Sequence, residues 1–200
     1  HRLIPLRWHI VTNLGATAVL LSTARATGMT ATELGIGPAQ ARRGARRGIV
    51  IAGAIATTVA LVATPRRVRR QFADDRVRAE STREMAYETL ARIPIGTALF
   101  EEVAFRGVLE AMWRRSSGDR SARLVTAAAF GAWHLLPTFR DYGQMVGTRT
   151  KEPGVAERCL AAAGGAIVTG LSGVGFTMLR EQSGSVAAPW LAHADRKSTR

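Results

Sequence analysis

Apolar runs of roughly membrane-crossing length recur along this chain, and the segments between them are crowded with arginine. The runs extend from Trp8 to Ala26, Gly48 to Thr64, Ile93 to Trp113, Ala122 to Phe139, Ala156 to Leu179 and Ser185 to Ala194. Crossing the hydrocarbon core of a bilayer takes about 20 apolar helical residues, so the second run is slightly short and the last is incomplete. Inside lipid the backbone must satisfy its own hydrogen bonds, which only helices and closed barrels do. Runs of helix length therefore predict an all-α fold, a polytopic membrane bundle of about six helices.

The charge distribution supports that reading. A net charge of +13 would ordinarily point to nucleic acid or an anionic surface. Here Arg42, Arg43, Arg46 and Arg47, then Arg66, Arg67, Arg69 and Arg70, then Arg114 and Arg115 stand between the apolar runs, where basic residues flank membrane helices. A nucleic-acid binder would carry its arginines on one face of amphipathic helices, whereas these runs are apolar all round. No nucleic-acid partner is expected. Arg2 and Arg7 ahead of the stretch from Ile10 to Leu21 imitate a signal peptide, but no small-residue cleavage site follows, and the run reads as a first membrane helix.

The 200 residues form one domain of ordinary size, with no long hydrophilic linker. Cys159 is the single cysteine, which excludes an intramolecular disulfide and a Cys-rich metal cluster. The segment from Arg66 to Glu88 reads as a basic amphipathic surface element, and Thr138 to Pro153 as the longest irregular connection, suited to a mobile entrance. Small residues in Ala161-Ala162-Ala163-Gly164-Gly165 and from Gly170 to Gly175 would let neighbouring helices approach closely.

Against this apolar background a few ionisable side chains stand out, because burying them is costly and function is the usual reason. The third run holds Glu101-Glu102-Val103-Ala104-Phe105-Arg106, the fourth Phe130-Gly131-Ala132-Trp133-His134, and the last Pro189-Trp190-Leu191-Ala192-His193. Glu102 and Arg106 are four apart with the acid first, the favourable order for a helical ion pair. Glu101 points about 100° away, on the face of Phe105 and Val108, and a carboxylate in an apolar cavity can serve as general base on a water. If the third run crosses, the fourth returns and the sixth travels with the fourth, Glu101 lies about 12 Å in from Ile93 and His134 about 9 Å in from Arg140, with His193 approaching the same side. That side carries about 16 Lys and Arg against about 9 on the other, which predicts that it is cytoplasmic.

Together, in this order, the three motifs resemble the CPBP family of intramembrane endopeptidases, named for CAAX processing and bacteriocin-immunity proteins. The family pattern is Glu-Glu-x-x-x-Arg, then Phe-x-x-x-His, then a late His with Asn or a similar residue four on. The first two match at every defined position and the third at His193 alone, since Lys197 stands where Asn is usual. The resemblance covers about residues 93–194 and implies an intramembrane peptide hydrolase acting on a membrane-associated peptide or protein, with its site open to the cytoplasm; the excess of Arg over Lys adds the expectation of a bacterial cytoplasmic membrane. It makes Glu101 the base that activates water, His134 its partner, and His193 a stabiliser of the oxyanion, with Glu102, Arg106 and Phe130 in support. It also implies the alternative of a catalytically silent immunity or scaffold protein of the same fold. From Asp195 the chain reads Asp-Arg-Lys-Ser-Thr-Arg, foreign to a membrane helix. The tail is thus truncated or replaced, or this member has half an oxyanion site. Since His-Glu-x-x-His is absent, the expected mechanism uses no cofactor and no metal; a zinc site, if present, would use Glu101, His134 and His193.

Overall fold

A computed structural model describes residues 8–63, 86–145 and 153–198. Among these residues all regular structure is helical. Numbered in chain order, α1 is His9–Ala26 and α2 is Pro38–Ala63. A long helical stretch follows, made of α3 (Glu88–Ala98, π-helical), α4 (Leu99–Glu102), α5 (Val103–Leu109, π-helical) and α6 (Glu110–Trp133). The remainder comprises α7 (Leu135–Met145), α8 (Val155–Ser183) and α9 (Ala187–Ser198).

Local chemistry explains where these elements depart from the apolar runs. α2 starts ten residues before Gly48, at Pro38, whose fixed φ suits a first helical position, so the Arg42 to Arg47 cluster is helical. Pro94 lies inside α3, where its missing amide proton is compatible with the wider π-helical turn. The helix does not stop at Arg114 but is broken at Gly118, with φ 80° and ψ 172°, a conformation open to glycine. The fourth run is divided at His134, which ends α6, and Pro137 is accommodated in the first turn of α7. Thr138 to Met145 is therefore helical rather than irregular; residues 146–152, like 64–85, lie outside the described part. Among the described residues, α8 is the one helix long and apolar enough to cross a membrane. α9 has only 12 residues, and arginines occupy the first half of α2.

The chain gathers into two compact units, residues 1–108 with 179–200, and residues 109–178. In the first, α9 packs against α2, α3 and α4, and α1 packs against α3 and α4. The α2 sequence Gly44-Ala45-Arg46-Arg47-Gly48 puts two glycines one turn apart. A Cβ at Gly44 would lie 2.5 Å from Ser185 Cβ and one at Gly48 3.0 Å from the Ala188 carbonyl oxygen. Arg42, Arg43, Arg46 and Arg47 are left exposed on the other side. Side chains then lock α3 in place: Trp190 Nε1 donates to the Pro94 carbonyl at 2.8 Å and Asn13 Nδ2 donates to that of Gly96. The α1–α2 connection carries a capping box, Thr30 with Glu33, and buries Leu34 completely.

The second unit uses the same device. A Cβ on Gly131 of α6 would come within 2.5 Å of the Ala166 carbonyl oxygen of α8, and one on Gly170 within 3.4 Å of the Ala127 carbonyl. Gly165 similarly admits Thr138 of α7. Phe130, buried here, meets Phe176 edge-on at 6.4 Å between ring centres. The opposite flank of α8 exposes Leu160 (75%), Ile167 (64%) and Leu171 (68%).

Gly131→Ala should therefore lower the melting temperature in detergent, because backbone shifts of about 1–3 kcal/mol outweigh the gain of about 1 kcal/mol in helix propensity. Gly164→Ala, on the exposed flank of α8 with nothing within 4 Å of the added carbon, should leave it unchanged or raise it. Equal responses of the two variants would refute the close-approach role of Gly131.

Candidate active site

Four sequence-assigned residues meet in the first unit. α4 presents Glu101 and Glu102, α5 presents Arg106, and α9 brings His193 from far along the chain. Glu102 and Arg106 are fully buried, and Glu101 and His193 nearly so. Ions so placed are tolerated only when paired. Arg106 Nη1 lies 3.2 Å from Glu102 Oε1, the expected helical ion pair, although the helix changes from α to π between the two residues. The same Oε1 lies 2.7 Å from His193 Nδ1, while His193 Nε2 lies 3.6 Å from Glu101 Oε2. The imidazole thus stands between the two carboxylates. Glu102 Oε2 has no hydrogen-bond partner among the described residues.

The delivery of His193 is local chemistry at the start of α9. Gly184, at φ 68°, turns the chain out of α8, and Ser183 Oγ accepts from the Ser185 amide at 3.2 Å. Ser185 Oγ in turn accepts from the Ala187 amide at 3.1 Å, capping the new helix. Pro189 falls in the first turn, where proline is harmless. Val186 donates its amide to the Gly35 carbonyl at 3.0 Å and Trp190 bonds to α3, so α9 is fixed on two sides one turn before His193.

Phe130 and His134 belong to the second unit, where they touch each other. His134 Nδ1 is 2.8 Å from the Phe130 carbonyl oxygen, and the rings meet edge-on at 4.7 Å. A carbonyl oxygen can only accept, so Nδ1 is the donor in this contact. His134 stands at the C-terminal end of α6, immediately before α7.

Arg180 was hidden from sequence reading. Placed at the end of the fifth apolar run, it looks like one more flanking arginine, yet it is buried. Its Nε donates to the Arg106 carbonyl at 3.2 Å and its Nη2 to the Glu33 carbonyl, tying the backbone of the motif to the α1–α2 connection. The only signal for it was a cation beside Glu181 and Gln182 where the apolar run ends.

Among the described residues no three of His, Cys, Asp and Glu are arranged to hold a metal, and His193 Nδ1 and Glu102 Oε1 are already committed to each other.

The family model for Rce1-like type II CAAX prenyl endopeptidases matches residues 85–195, more than half of the chain and all three motifs. The chain belongs to this CAAX protease family. Neither a curated protein nor a solved structure gives a match. Membership makes peptidase chemistry the frame in which the buried carboxylates are read.

Arg180→Ala removes two hydrogen bonds from a charged donor, each worth about 1.5–3 kcal/mol, and should depress the melting temperature by several degrees. Arg180→Lys, a point charge that cannot fork to two carbonyls, should recover only part of that loss. A melting temperature unchanged in Arg180→Ala would show that the clamp contributes nothing.

Proposed function

We propose that this protein is an intramembrane endopeptidase in which Glu101 activates water to hydrolyse a peptide bond of a membrane-associated substrate. The observation that carries the reading is the His193 imidazole standing between two buried carboxylates, on motif residues that the family match includes. Arg106 balances the charge of Glu102, and Glu102 Oε1 accepts from His193 Nδ1. Glu101 Oε2 and His193 Nε2 are slightly too far apart for a direct hydrogen bond and close enough to share one water. In the proposed reaction Glu101 takes a proton from that water as the oxygen attacks the scissile carbonyl, then passes it to the leaving amine. Nδ1 of His193 is held by Glu102, which leaves Nε2 as the atom of that ring available to stabilise the oxyanion. His134 is the second histidine of the motif set. No metal enters this scheme.

The membrane setting is part of the same proposal: a bundle of about six spans, embedded in a bacterial cytoplasmic membrane and open to the cytoplasm. It is supported by the length and apolarity of α8 and by exposed large apolar side chains on α1, α2 and α8, which an aqueous surface disfavours in contiguous patches.

Glu101→Gln should keep the melting temperature and lower cleavage of a membrane-tethered peptide library about 100-fold to 10,000-fold. Glu102→Gln should lower both stability and turnover, because it loosens Arg106 and His193 together. Full activity in Glu101→Gln, or chelator inactivation reversed by zinc, would sink the glutamate mechanism. A wild-type protein that cleaves no library member would favour the silent immunity or scaffold reading.

A further inference from the structure

α2 changes character halfway along its length. Counted at 100° per residue, Arg42, Arg43, Arg46 and Arg47 fall within an arc of about 140°, with Gly44 and Gly48 on the opposite side against the start of α9. Past Gly48 that exposed arc carries Val50 (70%), Ala54, Thr57 and Leu61 (69%), and α2 contains no acidic residue. Arg47 donates to the Gln182 carbonyl, whereas Arg42, Arg43 and Arg46 make no hydrogen bond or ion pair with the described residues. Beside the arc lies an apolar groove of about 300 Å³, lined by Ile51, Ala54, Ile55 and Thr58. It begins four residues, or about 6 Å, beyond Arg47. Thr58 Oγ1 donates to the Ala54 carbonyl at 2.8 Å, so its hydroxyl is satisfied within the helix and its methyl group is left to the groove.

We propose that this face of α2 binds an anionic phospholipid, its phosphate held by Arg42, Arg43 and Arg46 and one acyl chain laid along the groove. Guanidinium groups suit phosphate oxygens through forked donation. The adjoining apolar wall selects the partner: an acidic peptide or a nucleic acid would satisfy the arginines and leave Val50, Leu61 and the groove uncovered. A phospholipid joins the two chemistries at the spacing seen here. The boundary between headgroups and hydrocarbon then falls near Gly48, and the apolar part of α2 from there to Ala63 reaches about 23 Å into the bilayer. This inference rests on the membrane reading and adds a lipid preference to it.

The test uses the whole protein purified in neutral detergent and mixed with phosphatidylglycerol or phosphatidylcholine, with retained lipid counted by native mass spectrometry. Vesicle flotation after alkaline extraction, run in parallel, reports membrane integration. The wild type should retain phosphatidylglycerol about a hundredfold more strongly at low salt, at roughly one decade or less per arginine. Arg42→Gln/Arg43→Gln/Arg46→Gln should abolish that preference and still float with phosphatidylcholine vesicles. Ala54→Trp, which fills the groove and leaves the charge intact, should also weaken retention. Equal retention of the two lipids by an integrated wild type overturns the site alone, and so does undiminished retention in Ala54→Trp, which would reveal diffuse surface charge. Wild-type protein stripped from vesicles at alkaline pH overturns the membrane reading itself.

Discussion

Glu102 Oε1 accepts from two cations or potential cations at once, Arg106 from its own helical stretch and His193 from α9, and the first unit is arranged around that shared oxygen. Without Arg106 the carboxylate would be an unpaired buried charge, at a cost of several kcal/mol. Without His193 one of its stronger contacts would be gone. The rest of the unit serves to make this meeting possible: Gly44 and Gly48 bring α2 against the start of α9, Trp190 ties α9 to α3, and Arg180 holds the carbonyl of Arg106. These contacts fix the approach of His193 to the carboxylates within a narrow range, which the proton transfer of the proposed reaction would require.

Both units solve the packing problem with glycine rather than with large apolar side chains. Gly131 and Gly170 admit backbone from a neighbouring helix in the second unit much as Gly44 and Gly48 do in the first. This economy leaves large apolar residues pointing outward, as on α8. Such an inside-out distribution is costly in water and natural in lipid, where association between helices depends on close fit and not on hiding apolar surface. The arginines of α2 follow the same logic in reverse, exposed on one side while glycine occupies the packed side.

Some of this was legible in the amino-acid sequence. Helix-length apolar runs dictated an all-helical chain, because no other element of that length closes its backbone hydrogen bonds locally. The spacing of Glu102 and Arg106 dictated their ion pair, since residues four apart share a helix face whatever surrounds them. The three motifs in order identified the protease family. Element ends were less legible: the start of α2 at Pro38, the break at Gly118 and the turn at His134 depend on single residues whose effect competes with the hydropathy of their neighbours.

What only the tertiary structure decided is which partners the buried groups take. Sequence spacing assigned Glu102 to Arg106 alone, and the family resemblance assigned His193 to the oxyanion alone; the fold gives Glu102 a second task, holding Nδ1 of a histidine 91 residues away. It also turns Arg180 from an apparent flanking charge into a buried clamp. Interactions within one helix are set by a local period of 3.6 residues and can be read from the chain. Contacts of α9 with α4, and of Arg180 with α5 and the α1–α2 connection, arise from the approach of separate elements, and their donors and acceptors acquire partners only when the chain has folded.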